Sequence, residues 1–236
     1  MPETYPQRGF RLPPDATDLL LIRHGASAAA VPGEPFELIE GQADPPLAPE
    51  GREQAEKLSE WLVAESLSAL FVTPLTRTAQ TAAPIAERTG LEPRVITDLR
   101  EIMLGEWEGG EFRIRVANGD PIARRLFEEE RWDVIPGAES MESFAERIAR
   151  GLAQIADETG PGGTGAAILH GGVIGEICHQ VTNSRPFAFN QVDNTSITRV
   201  VRFADGRWLL RYFNETAHLR AVPSVSPRIR ADRAPR

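Results

Sequence analysis

The chain contains a single cysteine, Cys178, among 236 residues. One thiol excludes an internal disulfide, and without CxxC or HExxH spacing nothing suggests a structural or catalytic zinc, so no metal is expected. Lysine is almost absent as well: Lys57 is the only one, and every other basic side chain apart from histidine is arginine. An anion bound here would therefore meet rigid guanidinium forks rather than flexible ammonium groups. No apolar run approaches the roughly 20 residues that span a bilayer. The N-terminal "MPETYPQRGF" lacks the apolar centre of a secretory signal, which points to a cytoplasmic protein. A formal net charge of −8 argues against nucleic acid or anionic membrane as partners, while still allowing a local cationic pocket.

What is present is an ordinary globular composition, 41% hydrophobic and 25% charged, in a chain long enough for one α/β domain with elaborated loops. Residues 1–17 read as an irregular arm, 18–222 as the domain, and 223–236 as a disordered tail. "DLLLIRH", Asp18 to His24, is a buried parallel strand, followed by a Pro- and Gly-rich loop from Gly25 to Pro49. Pro49 to Glu65 has helical spacing with Ala55, Leu58 and Leu62 on one face and Trp61 a candidate for it. "ALFVTP" is a second strand, leading into a helix that ends at Gly90, and "EPRVITDL" is a third strand. Segment 104–137 is irregular and reads as an insertion covering one end of the sheet. Ser140 to Glu158 is an amphipathic helix. "GPGGTG" is a loop rather than a phosphate-binding loop, because a strand, "AAILH", follows it and Gly-Lys-Ser/Thr is missing. A helix from "GGVIGEICHQVT" and a hairpin around Asp205 and Gly206 complete the pattern.

Strands alternating with helices imply a three-layer α/β/α sandwich on a mostly parallel sheet, with ligands beyond the carboxyl ends of the strands. Those ends carry Arg23 and His24, Arg77 one turn past the second strand, Glu101 after the third, and His170 after the late strand. Two arginines, two histidines and a carboxylate suit a phosphoryl group: the guanidinium binds its oxygens, an imidazole nitrogen attacks phosphorus, and the acid protonates the leaving oxygen. His179, His218 and Cys178 have no such company and read as structural.

Five ordered stretches, "LIRHG" (21–25), "GQADPPLAPEGREQA" (41–55), "TPLTRTAQTA" (73–82), "LREIMLGEWEG" (99–109) and "LHGGVIGEI" (169–177), resemble the histidine phosphatase superfamily, also called phosphoglycerate mutase-like, and its phosphatase branch in particular. The resemblance implies the phosphoglycerate mutase-like fold, His24 as a nucleophile that becomes phosphohistidine, and Glu101 as proton donor, a role for which Glu106 and Glu108 are the competing carboxylates. It also implies that Arg23, Arg77 and His170 clamp the phosphoryl oxygens, with Gly25 and Gly171 letting the backbone approach them, and that no cofactor is needed. The sequence departs from the family at two positions: Ser27 stands where many members have Thr, and Ala30 where many have Asn. Ser27 keeps a hydroxyl, whereas Ala30 donates nothing. Gln42 is a candidate for part of the missing contact. Phe36, Phe112 and Arg124 are candidates for the substrate wall, and Trp107 and Trp132 for either that wall or the core.

The expected activity is hydrolysis of a small phosphorylated metabolite by a monomer or homodimer. A bisphosphoglycerate-dependent mutase is the alternative, and 2,3-bisphosphoglycerate would then be its cofactor. "LGEWEGGEFRIR" offers Arg113 and Arg115 but no Lys or Tyr for a substrate carboxylate, which favours water as acceptor. A non-catalytic phospholigand-binding domain is the third reading, resting on Ala30 alone.

Overall fold

The computed structural model describes residues 3–220, so the tail 223–236 lies outside the described residues. Eight strands and six helices follow in chain order: β1 (Thr17–Arg23), β2 (Leu38–Ile39), β3 (Gln42–Ala43), α1 (Pro49–Leu62), β4 (Ala69–Val72), α2 (Thr76–Thr89), β5 (Arg94–Val95), α3 (Glu111–Ala117), α4 (Pro121–Glu129), α5 (Met141–Thr159), β6 (Thr164–Leu169), α6 (Gly171–Thr182), β7 (Ile197–Arg202) and β8 (Trp208–Glu215). Six strands form one sheet in the order β5-β4-β6-β1-β7-β8. Pairings from β5 through β1 are parallel, and β7 runs opposite to the other five strands, pairing antiparallel with both β1 and β8.

Alternation along the central strands separates two apolar layers. Leu19, Leu21, Phe71, Ala167 and Leu169 pack on one side against Phe144, Ile148, Leu152 and Ile155 of α5 and Ile174 and Ile177 of α6. Leu20, Ile22, Leu70, Val72, Ala166 and Ile168 pack on the other side against Leu58 and Leu62 of α1 and Ala82 and Ile85 of α2. Both faces of β1 are thus covered, which explains its continuous apolar run. Each fully buried Leu or Ile contributes about 1.5–3 kcal/mol of transfer free energy. The strand ends are fixed to a core that yields little. Among the described residues no helix is long and apolar enough to cross a membrane.

Several elements differ from the sequence expectation. α1 stops at Leu62, and Trp61 is 47% exposed because it lies one residue, about 100° of rotation, off the buried stripe. The third strand shrinks to the exposed edge pair Arg94–Val95 and gives way to a 3₁₀ turn, Thr97–Leu99. β6 begins at Thr164, inside the glycine-rich loop, because Asp18 of β1 pairs with Thr164. The loop after β1 contains the small β2/β3 hairpin. The helix caps agree with their signals: the Ser140 hydroxyl accepts from the Ser143 N–H, and Gly90 closes α2 in the left-handed region.

Candidate active site

β1 and β6 are neighbours, so their carboxyl ends deliver Arg23, His24 and His170 to one place. Side chains on consecutive strand residues point to opposite faces, yet Arg23 and His24 line the same cavity of about 230 Å³. The strand ends at Arg23 and the backbone turns there, although the His24 N–H still donates to Leu169 O at 3.0 Å. The loop before β7 braces this end: Asn194 Nδ2 donates to His24 O at 2.8 Å, Thr195 N to Arg23 O at 2.9 Å, and Arg23 Nη1 to Val192 O.

The geometry settles the proton on His24. Nδ1 lies 2.7 Å from Gly25 O, and a carbonyl only accepts, so Nδ1 carries the hydrogen and Nε2 the lone pair. Arg77 Nε donates to that lone pair at 3.2 Å. Burial, reinforced by the Arg77 and Arg23 charges, holds this imidazole well below its ordinary pKa and keeps it neutral. His170 is fully buried behind it, ring centroids 5.3 Å apart, with Nε2 2.9 Å from Thr73 Oγ1 and Nδ1 without a partner. Burial and then Arg77 depress its pKa in the same way. His170 is therefore beside His24 rather than on the cavity wall.

Arg77, buried on the first turns of α2, also donates to Ala43 O at 3.0 Å and lies 3.8 Å from Asp44. Glu101 lines the cavity, its Oε1 accepting from Ile102 N at 3.0 Å and its Oε2 from Gly172 N at 3.3 Å, at the start of α6. A Cβ on Gly172 would come within 2.6 Å of Glu101 Oε1, whereas one on Gly171 would meet only ordinary contact with Arg23 Nε at 3.6 Å. In its present place, the carboxylate occupies the space a side chain at 172 would need, a difference from Gly171 that the motif pattern does not show. Gly25 packs closely on α1, since a Cβ there would stand 2.4 Å from Gly51 O, and its N–H already donates to Thr81 Oγ1. Close approach of α1 demands glycine at that position.

The remaining sequence candidates divide. Gln42 reaches the cavity wall, but its amide donates to the Glu101 carbonyl at 2.6 Å and its Oε1 has no partner. Ser27 lies outside the cavity wall and its hydroxyl accepts from Arg113 Nη2 at 2.7 Å. Phe36 and Phe112 line the cavity; so do Trp107 and Trp132, which belong to the core as well. Arg124 is exposed on α4, away from it. Cys178 is fully buried, its thiol pushed up to about 12 by burial.

Three further residues take places beyond those the sequence suggested for them. Arg113 and Glu108 reach the cavity, and burial raises the pKa of Glu108, whose oxygens accept from Leu104 N and Ala43 N at 2.8 Å each. Arg147 of α5, 8% exposed, is forked onto Glu139 at 2.7 Å through both oxygens. The same guanidinium donates to the carbonyls of Asp98, Arg100 and Glu101 at 2.9, 2.6 and 3.0 Å, holding the backbone that carries Glu101. A charge at the margin of the buried face of an amphipathic helix is the one hint the sequence offers for it. Among the described residues no group of three or more His, Cys, Asp or Glu side chains is placed to hold a metal ion.

Neutral imidazole and arginines at the strand ends of an α/β/α sandwich, facing a carboxylate, define an enzyme of the phosphatase and mutase type. The family model of the histidine phosphatase superfamily (branch 1) matches residues 19–216, and the chain belongs to that superfamily. It is 31% identical to phosphoglycerate mutase-like protein 4 of Arabidopsis thaliana over 212 residues, 87% of this chain and 88% of the relative. Among solved structures, a mycobacterial glucosyl-3-phosphoglycerate phosphatase is similar at 27% identity and a TM-score of 0.70, covering 85% of this chain and all of the other. A phosphoserine phosphatase from Entamoeba histolytica, solved with phosphoserine, is similar at 27% identity and a TM-score of 0.70, covering 86% and 99%.

Proposed function

We propose that the protein hydrolyses a small phosphomonoester through a phosphohistidine on His24. The observation that carries this reading is the His24 tautomer, with Nδ1–H held by Gly25 O and the Nε2 lone pair facing the Arg77 guanidinium. When the ester arrives, the Arg77 Nε–H moves from Nε2 to a phosphoryl oxygen and frees the nucleophile. Nε2 attacks phosphorus, the ester P–O bond breaks, and the leaving alkoxide takes a proton from Glu101. Ionised Glu101 then removes a proton from water, whose oxygen attacks phosphorus and breaks the P–N bond, restoring His24 and releasing inorganic phosphate. Arg23 and Arg77 stabilise the charge on the equatorial oxygens throughout. His170 adds to this stabilisation if its unpartnered Nδ1 carries the proton, as it does when Nε2 accepts from the Thr73 hydroxyl.

Orphaned polar atoms support a ligand at this point: Arg23 Nε and His170 Nδ1 are buried without partners. Two similar solved proteins bear names of phosphomonoester phosphatases. The test is release of inorganic phosphate from p-nitrophenyl phosphate together with trapping of an acid-labile, base-stable phosphoenzyme. Wild type gives both and His24→Ala neither; undiminished phosphate release by His24→Ala overturns the reading. Phosphoglycerate supplied with and without bisphosphoglycerate separates the mutase, which would show isomerisation exceeding hydrolysis. A protein that binds phosphate without turnover would be a non-catalytic binding domain.

A further inference from the structure

Resting on that reading, we infer that Arg113 is a third phosphoryl-binding arginine, brought to the cavity from α3. Arg113 reaches across to the loop after His24, where Nη2 donates to Ser27 Oγ at 2.7 Å and Nη1 to Ala28 O at 2.8 Å. Those two bonds aim the fork and leave three of its five N–H donors free. The side chain lines the same cavity as Arg23, His24 and Arg77. Among the described residues Arg113 forms no ion pair, and Arg23 makes its polar contact with a carbonyl rather than a carboxylate.

Three guanidiniums, Arg23, Arg77 and Arg113, line this cavity of about 230 Å³ together with two carboxylates, Glu101 and Glu108; Arg113 keeps an exposed flank, and partial desolvation and the neighbouring Arg23 charge lower its pKa. Asp44 pairs with Arg77 and Glu101 is bonded to backbone N–H groups, while neither Arg23 nor Arg113 has a carboxylate partner, so a phosphomonoester dianion is the complementary charge for these two forks. The short side chain at position 30 has a matching role. A Cβ on Gly110 would stand 3.0 Å from Ala30 Cβ, so the turn that opens α3 rests directly against Ala30. A side chain at 110 would crowd Ala30, so glycine there lets the turn that opens α3 come close to the loop after His24. Gly110, at φ +106°, and the small Ala30 together let the turn that leads into Arg113 pack on this loop.

The experiment compares wild type, Arg113→Met and Arg113→Lys with two probes that carry no carboxylate, p-nitrophenyl phosphate and inorganic phosphate as competitive inhibitor. Arg113→Met should weaken inhibition by phosphate and lower kcat/KM by about tenfold to 100-fold each, the scale of one lost charge-assisted fork. Arg113→Lys, which retains charge without the fork, should fall between and keeps the test valid if the Met variant does not fold. The inference is overturned if both variants match wild type with these probes, even if they lose activity toward a carboxylate-bearing ester, since Arg113 would then serve the leaving group. Phosphoenzyme trapping is read in parallel: its absence in wild type would overturn the phosphohistidine reading, while phosphate inhibition still reports on Arg113.

Discussion

The two walls of the cavity are built differently. The sheet-edge wall, Arg23, His24 and Arg77 with His170 behind them, is held by backbone carbonyls and a core in which the central strands are buried on both faces. The cap wall, Phe36, Phe112, Trp107 and Trp132, comes from loops and short helices whose ion pairs, such as Arg115–Glu111 and Arg125–Glu129, are exposed and worth little. A rigid wall suits the charge chemistry common to every phosphomonoester, and an irregular aromatic wall suits selection of the alcohol. Glu101 sits at the seam between them. It follows the Thr97–Leu99 turn, but it is tied to α6 through Gly172 and to α5 through Arg147.

Under this division, damage to the sheet-edge wall should abolish turnover for all substrates. His24→Ala should reduce p-nitrophenyl phosphate hydrolysis by about 10⁴-fold or more, measured under saturating substrate. At the seam, Glu101→Gln should cost about 10²–10⁴-fold with alkyl phosphates, whose leaving groups need a proton, and much less with p-nitrophenyl phosphate. Equal losses with both esters would remove Glu101 from the acid role. Arg147→Met should lower kcat by up to about 100-fold with the same leaving-group bias and little change in KM, because it displaces Glu101 rather than the phosphate clamp. A uniform loss tracking a lowered Tm would make Arg147 merely structural.

The neutral histidines give the rigid wall a pH signature. Both folded-state pKa values lie well below 6.5, so on acidification the unfolded chain binds protons first. Stability is then fully present above pH 6.5 and falls below it, by about 1.4 kcal/mol per pH unit for each histidine. Urea unfolding between pH 7.5 and 5 should show that slope, and His24→Gln should reduce it. For the same reason the acid limb of kcat/KM should lie below 6.5. The smallest effect belongs to the cap: Phe112→Leu should alter relative kcat/KM among phosphorylated metabolites by about tenfold or less, leaving phosphate inhibition unchanged. A comparable loss across all substrates would erase the distinction between the walls.

Legibility in the sequence followed the same division. A continuous apolar run located β1, and periodicity and turn signals located α2, α5, α6 and the final hairpin, because each packs against a core that imposes its pattern. The edge strand β5 and the β2/β3 hairpin were poorly marked, being two-residue pieces with exposed or mixed burial. Arg113 was visible only as one arginine among several, since nothing in "EFRIR" records that Ser27 and Ala28 wait opposite. Gly172 was indistinguishable from Gly171 until Glu101 came to rest against it.

Sequence alone determined the layered α/β architecture, the family resemblance and the small set of strand-end residues, since burial period and motif order are local properties of the chain. Tertiary structure alone decided which nitrogen of His24 bears the proton, which glycine the carboxylate rests against, that Arg147 holds the Glu101 backbone, and that Arg113 shares the cavity with Arg23 and Arg77. Those outcomes depend on groups such as Glu101 and Gly172, or Arg113 and Ser27, that lie 71 and 86 positions apart and are brought within hydrogen-bond distance only by packing.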